Sequence, residues 1–349
     1  MFVLRDVTAG DLDALLAAAS YLDTVNLPED RAYLSALIAT SQRSFAGEID
    51  VADRKLVFVL EDEQAETSGG TPVVGVSMIF AQHGSRRAPH IFFDVIHEER
   101  YSETLDRHFF HQVLRIGYNY KGLTEIGGLV LLPAYRRHKD QLGRLLSYVR
   151  FMYIAMHRRV FCDEVVSELM PPLEANGTSL LWESLGRRFT GLSYQEADRL
   201  SQTNKEFIRA LFPQDPLYAT LLPAHVQELI GRVGPETKGV ERMLSEVGFA
   251  YAHRIDPFDG GPHFHARTDD ITLVAATRRL RLSPDEQSIE SDAPLVRCLV
   301  AREGPGEPRF LAVKTATPPP ANDGTLALPA DARRALRLVP GDELAFLPF

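Results

Sequence analysis

The sequence predicts an α/β (α+β) fold, in which helices flank one mixed, mostly antiparallel sheet. Apolar runs of strand length alternate with amphipathic runs of helix length in the first half of the chain. Two of the strand runs are separated by the polar, Gly-containing stretch 63–72, which is typical of an antiparallel hairpin. Mixed elements in this order favour a sheet covered by helices.

The elements follow in order along the chain. A strand at Phe2 to Leu4 leads into a helix that ends by residue 20, and Thr8 or Asp11 can cap that helix. Further helices are predicted at 33–44 and 142–158. The remaining strands are predicted at 56–62, 73–80, 89–97, 112–119, 123–132 and 165–169. We expect the strand at 123–132 to pair with the strand before it, after a turn at Lys121-Gly122.

The pattern changes twice further along the chain. It is mainly helical between 180 and 248, and a charged, polar run marks a boundary near 280–292. With 349 residues, the chain is long enough for more than one domain. We predict a core at 1–170, a helical region with returning strands at 171–282, and a small β-rich module at 290–349 with one helix near 330–337.

Composition excludes several classes of protein. The net charge is −9, so general attraction to nucleic acid or to an anionic membrane is not expected. No apolar run is long enough to span a bilayer, and the first residues lack the layout of a signal peptide. The only cysteines, Cys162 and Cys298, show no metal-ligand spacing; we predict no metal site and a reducing, cytoplasmic location.

The stretch 129–147 carries the strongest functional signal. An aliphatic run stops at Pro133, four basic or potentially basic residues (136–139) follow, and Gly143 precedes a long amphipathic segment. A strand, a basic loop and a helix N-terminus together favour a phosphorylated ligand, because the first backbone N–H groups of a helix are unpaired and carry partial positive charge. A solvated loop is the alternative.

Other motifs extend this pattern over nearly the whole chain. The run Ile255-Asp256-Pro257-Phe258-Asp259-Gly260-Gly261-Pro262 is the most specific, and Trp182 with Ser184-Leu185-Gly186 and the tail Pro340-Gly341-Asp342 accompany it. The strand–loop–helix unit resembles acyl-CoA N-acyltransferases of the GNAT superfamily. Together the motifs resemble bacterial arginine N-succinyltransferases.

This resemblance implies a GNAT-like fold and the first step of arginine degradation. Succinyl-CoA, as a co-substrate and not a permanently bound cofactor, would donate its succinyl group to the α-amine of arginine. The implied partners are therefore small molecules, with no nucleic acid and no membrane. The resemblance also allows a homo- or hetero-oligomer.

The resemblance assigns a donor site. Leu129, Val130 and Leu131 would hold the pantetheine through backbone groups, while Arg136, Arg137, Gly143 and Arg144 would surround the pyrophosphate. The loop departs from the family pattern, since it is two residues longer and has Gly143 as its single glycine.

The catalytic group is less clearly assigned. The family has a catalytic histidine just before a proline, after an Ile-Gly pair. In this chain Ile230-Gly231 is followed by Gly234 and Pro235, so a glycine occupies the position of that histidine. Glu125 is the candidate base, because it lies four residues before Leu129 and so on the same face of a regular strand. Its alternative is a strand carboxylate in an ion pair. Lesser candidates are His225, which is also compatible with a surface histidine, and His263 with His265.

Two aspartates are candidates for the arginine site. Asp256 and Asp259 could pair with the guanidinium, or they could bond the backbone of their own turn. Arg187 or Arg188 could bind the succinyl carboxylate.

Three other functions are weighed against succinyl transfer. They are transfer of another acyl group or to another amine, binding of acyl-CoA or an amino acid without turnover, and nucleic-acid binding through the tail. The acidic balance argues against the last of these.

Overall fold

The computed structural model describes the whole chain except residues 22–26, 66–72, 87, 175, 202–203 and 285–293. Part of the predicted hairpin turn and part of the predicted boundary near 280–292 therefore lie outside the described residues. The strands, numbered in chain order, are β1 Phe2–Asp6, β2 Lys55–Asp62, β3 Val73–His83, β4 His90–Ser102, β5 Arg107–Asn119, β6 Leu123–Leu131, β7 Glu164–Glu168, β8 Leu217–Tyr218, β9 Ala250–Ile255, β10 Pro262–Arg267, β11 Arg278–Leu282, β12 Val296–Glu303, β13 Phe310–Thr317, β14 Thr325–Leu326 and β15 Glu343–Pro348.

The α-helices lie mostly between these strands along the chain. They are α1 Leu12–Ala19, α2 Arg31–Phe45, α3 Leu142–Met156, α4 Arg187–Thr190, α5 Tyr194–Ser201, α6 Glu206–Leu211, α7 Ala224–Gln227, α8 Lys238–Glu246, α9 Thr272–Ala276 and α10 Ala330–Leu336. No helix within the described residues is both long enough and apolar enough to cross a membrane.

Two compact units make up the chain, and each collects segments that are distant in sequence. Unit 1 comprises Met1–Gln82, Thr124–Asp163 and Thr268–Phe349, and unit 2 comprises His83–Leu123 and Glu164–Arg267. The division into three consecutive parts stays a prediction.

Unit 1 is built on a sheet with the strand order β14-β11-β15-β12-β13-β1-β2-β3-β6. The antiparallel pairs are β1–β2, β2–β3, β1–β13, β12–β13, β12–β15 and β11–β15, whereas β11 and β14 run parallel to each other. Strand β13 pairs with β1, so the C-terminal strands extend the sheet that the first strand begins. The predicted fold class, a mostly antiparallel sheet flanked by helices, is confirmed, as is the short C-terminal helix.

The core of unit 1 follows from the sequence patterns. Asp30 caps α2, since its side chain accepts hydrogen bonds from the backbone N–H groups of Ala32 and Tyr33. Leu34, Leu37 and Ile38 of α2 are buried in a cluster with β2 and β3 residues. Helical spacing of these apolar residues places them on one face, which explains why the segment packs on the sheet.

Unit 2 combines helices with strands in the order β7-β10-β9-β4-β5-β8. Its centre is aromatic: the ring of Trp182 stacks on that of Phe258 with 5.0 Å between centroids. The indole N–H of Trp182 donates to the carbonyl of Leu192 at 3.0 Å. This packing fixes the turn that follows β9 at the middle of the unit.

Two strand predictions were wrong in detail. Strand β6 is a neighbour of β3, whereas β5 lies between β4 and β8, so the turn at 121–122 does not make a hairpin. Strands β4 and β5 form instead a hairpin of 13 residues on each side, longer than predicted. Its outer part is exposed and carries charges, so it lacks the apolar alternation by which a strand is recognised in sequence.

Candidate active site

Strand β6 is bent just before the residues assigned to the donor. Gly128 has a left-handed φ of +54°, and a Cβ there would lie 2.4 Å from Cε of Met78. Glycine adopts this conformation without strain, whereas a residue with a Cβ would be strained and would require Met78 to shift. The bend interrupts the regular alternation of β6, so the prediction that Glu125 and Leu129 share one face does not follow from strand period alone. After the bend, Val130 is buried, whereas Leu129 and Leu131 are partly exposed.

A buried arginine connects α3 to this bend. Arg150 of α3 is 2% exposed, and its guanidinium donates to the carbonyl and hydroxyl oxygens of Ser147 and, at 3.4 Å, to the carbonyl of Gly127. No carboxylate among the described residues pairs with it. Burial lowers the pKa of Arg150 to about 9. The side chain therefore remains charged at neutral pH and depends on these oxygens for its stabilisation.

The basic loop is held in a strained conformation. Arg137 (φ 61°) and Gln141 (φ 56°) are left-handed without being glycine, which costs about 1–2 kcal/mol at each position. The side chain of Arg136 folds back and donates to the carbonyl of Leu131 at 3.1 Å. Lys314 of β13 forms a 3.1 Å ion pair with Asp140, and this hydrogen bond lowers the pKa of the Asp140 carboxyl. The C-terminal strands thus anchor the loop.

The N-terminus of α3 is left open by the protein itself. The N-terminal cap is Gln141, whose side chain makes no capping hydrogen bond, and Gly143 is the second residue of the helix. A Cβ added at Gly143 would meet no atom within 4 Å. Packing therefore does not require this glycine, whereas close approach of a ligand to the backbone N–H groups would.

Glu125 is buried in unit 1 at 4% exposure. Its negative charge acts on Lys55 and Tyr33, where it raises the pKa of both groups. Burial is the larger influence on each, and lowers the pKa of Lys55 overall while it raises that of Tyr33. Glu125 is thus a carboxylate within electrostatic range of an ammonium group, which is compatible with a base as well as with an ion pair.

Gly234 lies against the backbone that follows β7. Its N–H donates to the carbonyl of Met170 at 2.8 Å, and an added Cβ would lie 2.7 Å from the carbonyl oxygen of Pro171. No side chain fits at this position without a shift of that backbone. At the position where the resemblance predicts a catalytic histidine, this chain therefore has a glycine that packs against the backbone and that cannot transfer a proton.

Asp256 and Asp259 both bond the turn that contains them. Asp256 accepts from the N–H groups of Phe258 and Asp259, and Asp259 accepts from that of Gly261. Burial, followed by the negative charge of Glu168, raises the pKa of Asp256 to about 7. Burial and Asp256 likewise raise the pKa of Asp259 well above its usual range. These contacts correspond to the turn alternative; a bound guanidinium would favour the ionised form of either carboxyl.

A cluster of four residues, of which only His263 is a candidate from the sequence, lies beside this turn. Glu168, at the end of β7, pairs in register with His263 of β10. The Nε2 atom of His90 lies 2.9 Å from Oε1 of Glu168, and that of His263 lies 3.6 Å from the same oxygen. The ring of His83 lies 4.8 Å from that of His90. We call these four residues the His–Glu cluster.

Burial and mutual contacts shift the pKa values of three members of the cluster. Burial lowers the pKa of His83 and of His263 to about 3. Burial would raise the pKa of Glu168, but His263 and His90 act in the opposite direction and hold it well below its usual range. The one signal in the sequence was a glutamate within the apolar run 165–169.

The remaining candidates lie elsewhere. His225 is exposed on α7, and the ring of His265 lies 6.4 Å from that of His263. Arg187 pairs with Glu183 at 2.9 Å, and Arg188 donates to the carbonyl of Ser184. Unit 1 therefore brings together Glu125 and the residues of the predicted donor site. Unit 2 brings together Gly234, Asp256, Asp259 and His263 with the cluster.

Comparison with known proteins decides the family. A family model described as arginine N-succinyltransferase beta subunit matches residues 2–273. The chain belongs to the arginine N-succinyltransferase family. It is 33% identical over 347 residues to proteins named arginine N-succinyltransferase from Escherichia coli and from Shigella dysenteriae, with 99% of this chain and 96% of each relative covered.

A solved structure supports the same membership. The arginine/ornithine succinyltransferase subunit AI from Pseudomonas aeruginosa has a TM-score of 0.80 and 29% identity to the chain, with 100% of this chain and 98% of that chain covered. Members of the arginine N-succinyltransferase family are acyltransferases, so family membership makes the chain an acyltransferase.

Replacement of Arg150 tests the connection between α3 and the bend in β6. We expect Arg150→Ala to lower the free energy of unfolding by about 3 kcal/mol, because it leaves a cavity and an unpaired buried carbonyl. Urea denaturation measures this change. Arg159→Ala removes an exposed arginine shortly after the same helix, and should alter stability by no more than about 0.5 kcal/mol. Equal effects of the two substitutions would contradict a structural role for the buried guanidinium.

Proposed function

We propose that the protein transfers the succinyl group of succinyl-CoA to the α-amine of arginine, as the first step of arginine degradation. The observation that carries this proposal is the match to named arginine N-succinyltransferases over 99% of the chain. Transfer of a different acyl group and binding without turnover are not favoured by that match. The open helix N-terminus and the basic loop in unit 1 support a donor with phosphate groups.

The reaction forms one C–N bond and breaks one C–S bond. The neutral α-amine attacks the thioester carbonyl carbon, and the resulting tetrahedral oxyanion collapses with loss of the CoA thiolate. The ammonium form of arginine must first lose a proton, and the thiolate gains one to leave as CoA. We propose that Leu129, Val130 and Leu131 bind the pantetheine, and that Arg136, Arg137, Gly143 and Arg144 bind the pyrophosphate.

We propose Glu125 as the group that accepts the proton from the amine. It is a carboxylate on the strand that leads into the donor segment. His263 is a poor alternative, because a ring whose pKa is lowered to about 3 binds a proton weakly at neutral pH. We propose that Asp256 and Asp259 bind the guanidinium of the acceptor arginine. Hydrogen bonds from the guanidinium would replace the hydration that the two carboxyl groups lose on burial.

Product analysis tests the proposed reaction. The protein is incubated with succinyl-CoA and arginine, and the products are followed by mass spectrometry, since the partly exposed thiol of Cys162 would react with a thiol reagent. We expect N2-succinylarginine and one CoA for each product molecule, with a lower rate from acetyl-CoA. Parallel reactions with ornithine show whether the acceptor range includes both amino acids for which the Pseudomonas relative is named. Calorimetric binding of CoA without any product would contradict transfer and support a binding protein.

Substitution of the proposed base gives a second prediction. Glu125→Gln keeps the shape of the side chain and should lower kcat/KM by about 10²- to 10⁴-fold, which is the usual contribution of a general base. Glu48→Gln changes an exposed carboxylate in the same unit and serves as the matched control. Unchanged turnover of Glu125→Gln between pH 6 and pH 9 would remove Glu125 from the mechanism.

The glycine at the start of α3 gives a third prediction. Gly143→Ala should leave stability unchanged or raise it by up to about 1 kcal/mol, because alanine favours helices and the site has room. It should raise KM for succinyl-CoA by about tenfold, through loss of close contact between phosphate and backbone. Gly239→Ala, at the second residue of α8 and equally uncrowded, should leave KM unchanged. An unaltered KM in Gly143→Ala would place the phosphates elsewhere.

We also propose that the chain forms an oligomer, either with copies of itself or with a related chain, and that it is located in the cytoplasm. Exposed apolar side chains at the tip of the β4–β5 hairpin, Leu105 at 61% and Phe110 at 73%, support an interface. The Pseudomonas relative is itself named as a subunit. The two free thiols suit a reducing compartment. Sedimentation equilibrium of the purified chain should give a mass larger than that of one chain. Phe110→Ser should lower this mass. A monomeric mass for the unmodified chain would exclude the homo-oligomer.

A further inference from the structure

The His–Glu cluster of unit 2 has the composition of a metal-binding site. One donor atom from each of His83, His90 and Glu168 can be chosen so that all three lie within 4.8 Å of one another. The donors come from the end of β3, the start of β4 and the end of β7, so three rigid elements hold them. Two ligands of a tetrahedral zinc ion are about 3.3 Å apart. Nε2 of His90 and Oε1 of Glu168 lie 2.9 Å apart as a hydrogen bond, which a bound ion would replace.

Polar atoms in the cluster are buried without a hydrogen-bond partner among the described residues. They are Nδ1 of His90 and both ring nitrogens of His263, on side chains that are 1% and 0% exposed. An unpartnered buried polar atom costs about 1–3 kcal/mol. The cluster is therefore expensive as a network of side chains alone, and its imidazole lone pairs are suited to donate to a Lewis acid.

The donor atoms available around the cluster favour a cation. Glu168 supplies one carboxyl group, the nearby Asp256 supplies a second, and one donor atom from each of Glu168, Asp256 and His263 also falls within 4.8 Å. Neutral imidazoles and a carboxylate are the donors that zinc and similar divalent transition metals prefer, whereas magnesium and calcium prefer oxygen alone.

We propose that His83, His90 and Glu168 bind one divalent transition-metal ion, with Zn²⁺ as the best match to the donors. His263 is paired with Glu168 in register across β7 and β10, and its Nε2 atom lies 3.6 Å from the same carboxylate oxygen. Three protein ligands leave a fourth position of a tetrahedral ion open. The residues are 7 and 78 positions apart along the chain, which explains why ligand spacing in the sequence gives no sign of the site.

Metal binding by the full-length, untagged protein tests the proposal. The chain is stripped with a chelator, and Zn²⁺ is titrated by calorimetry while Co²⁺ is followed by visible absorption. We expect one ion per chain and cobalt bands of the intensity typical of four ligands. Absence of binding to the folded, unmodified protein would overturn the proposal without reference to any variant.

Two conservative variants locate the ion. Glu168→Gln and His90→Gln should each weaken Zn²⁺ binding by more than about 100-fold, since loss even of an orienting residue costs 10- to 100-fold. Circular dichroism confirms that each variant is folded. His225→Gln removes an exposed histidine and should leave both titrations unchanged.

Each outcome is decisive. Binding of one ion that is lost in both variants and kept in His225→Gln supports the site. Binding that survives in Glu168→Gln and His90→Gln, or is lost in His225→Gln, places the ion elsewhere and overturns it. The titrations measure binding alone, so failure of this proposal leaves the transfer reaction untouched, and failure of that reaction leaves the metal site untouched.

Discussion

The buried guanidinium of Arg150 is the interaction on which the donor segment of unit 1 depends. It extends from α3 to the carbonyl of Gly127, so one side chain fixes the helix against the bent end of β6. Its charge is fully desolvated and has no carboxylate partner within the described chain, which makes the arrangement costly. The cost is offset in part by hydrogen bonds to the oxygens of Ser147 and Gly127. Strand end, loop and helix N-terminus thereby keep one geometry.

Unit 2 contains a buried group of the opposite charge to that of Arg150. The carboxylate of Glu168 lies beside the imidazoles of His90 and His263, and burial raises the pKa of Asp256 and of Asp259 in the neighbouring turn. Proteins tolerate such groups mainly where function requires them, because replacement by apolar residues would usually be more stable. In each unit the buried polar site therefore lowers the stability of the fold. In both units strands carry functional groups, and a short turn or loop positions others beside them.

Much of this organisation could be predicted from the sequence, and the exceptions have physical reasons. Helices α2 and α3 follow from apolar periodicity, and the strands around Val57 and Val76 follow from continuous apolar runs whose consecutive residues are buried. The basic loop could be found because its charges are consecutive. The His–Glu cluster could not, because its members are distant along the chain and meet only through sheet topology. The partner of β6 was missed for the same reason. The close approach of Met78 to Gly128 is a contact between distant residues that no local pattern reveals.

Amide hydrogen exchange with and without CoA tests the central claim, that β6, the basic loop and the start of α3 form the donor site. We predict that CoA slows exchange of backbone amides in Leu129–Leu131 and in the first turn of α3, which begins at Leu142. Arg150→Ala should abolish this protection, whereas Arg159→Ala should retain it. Protection by CoA that lies elsewhere in the chain, with these segments unchanged, would contradict the claim.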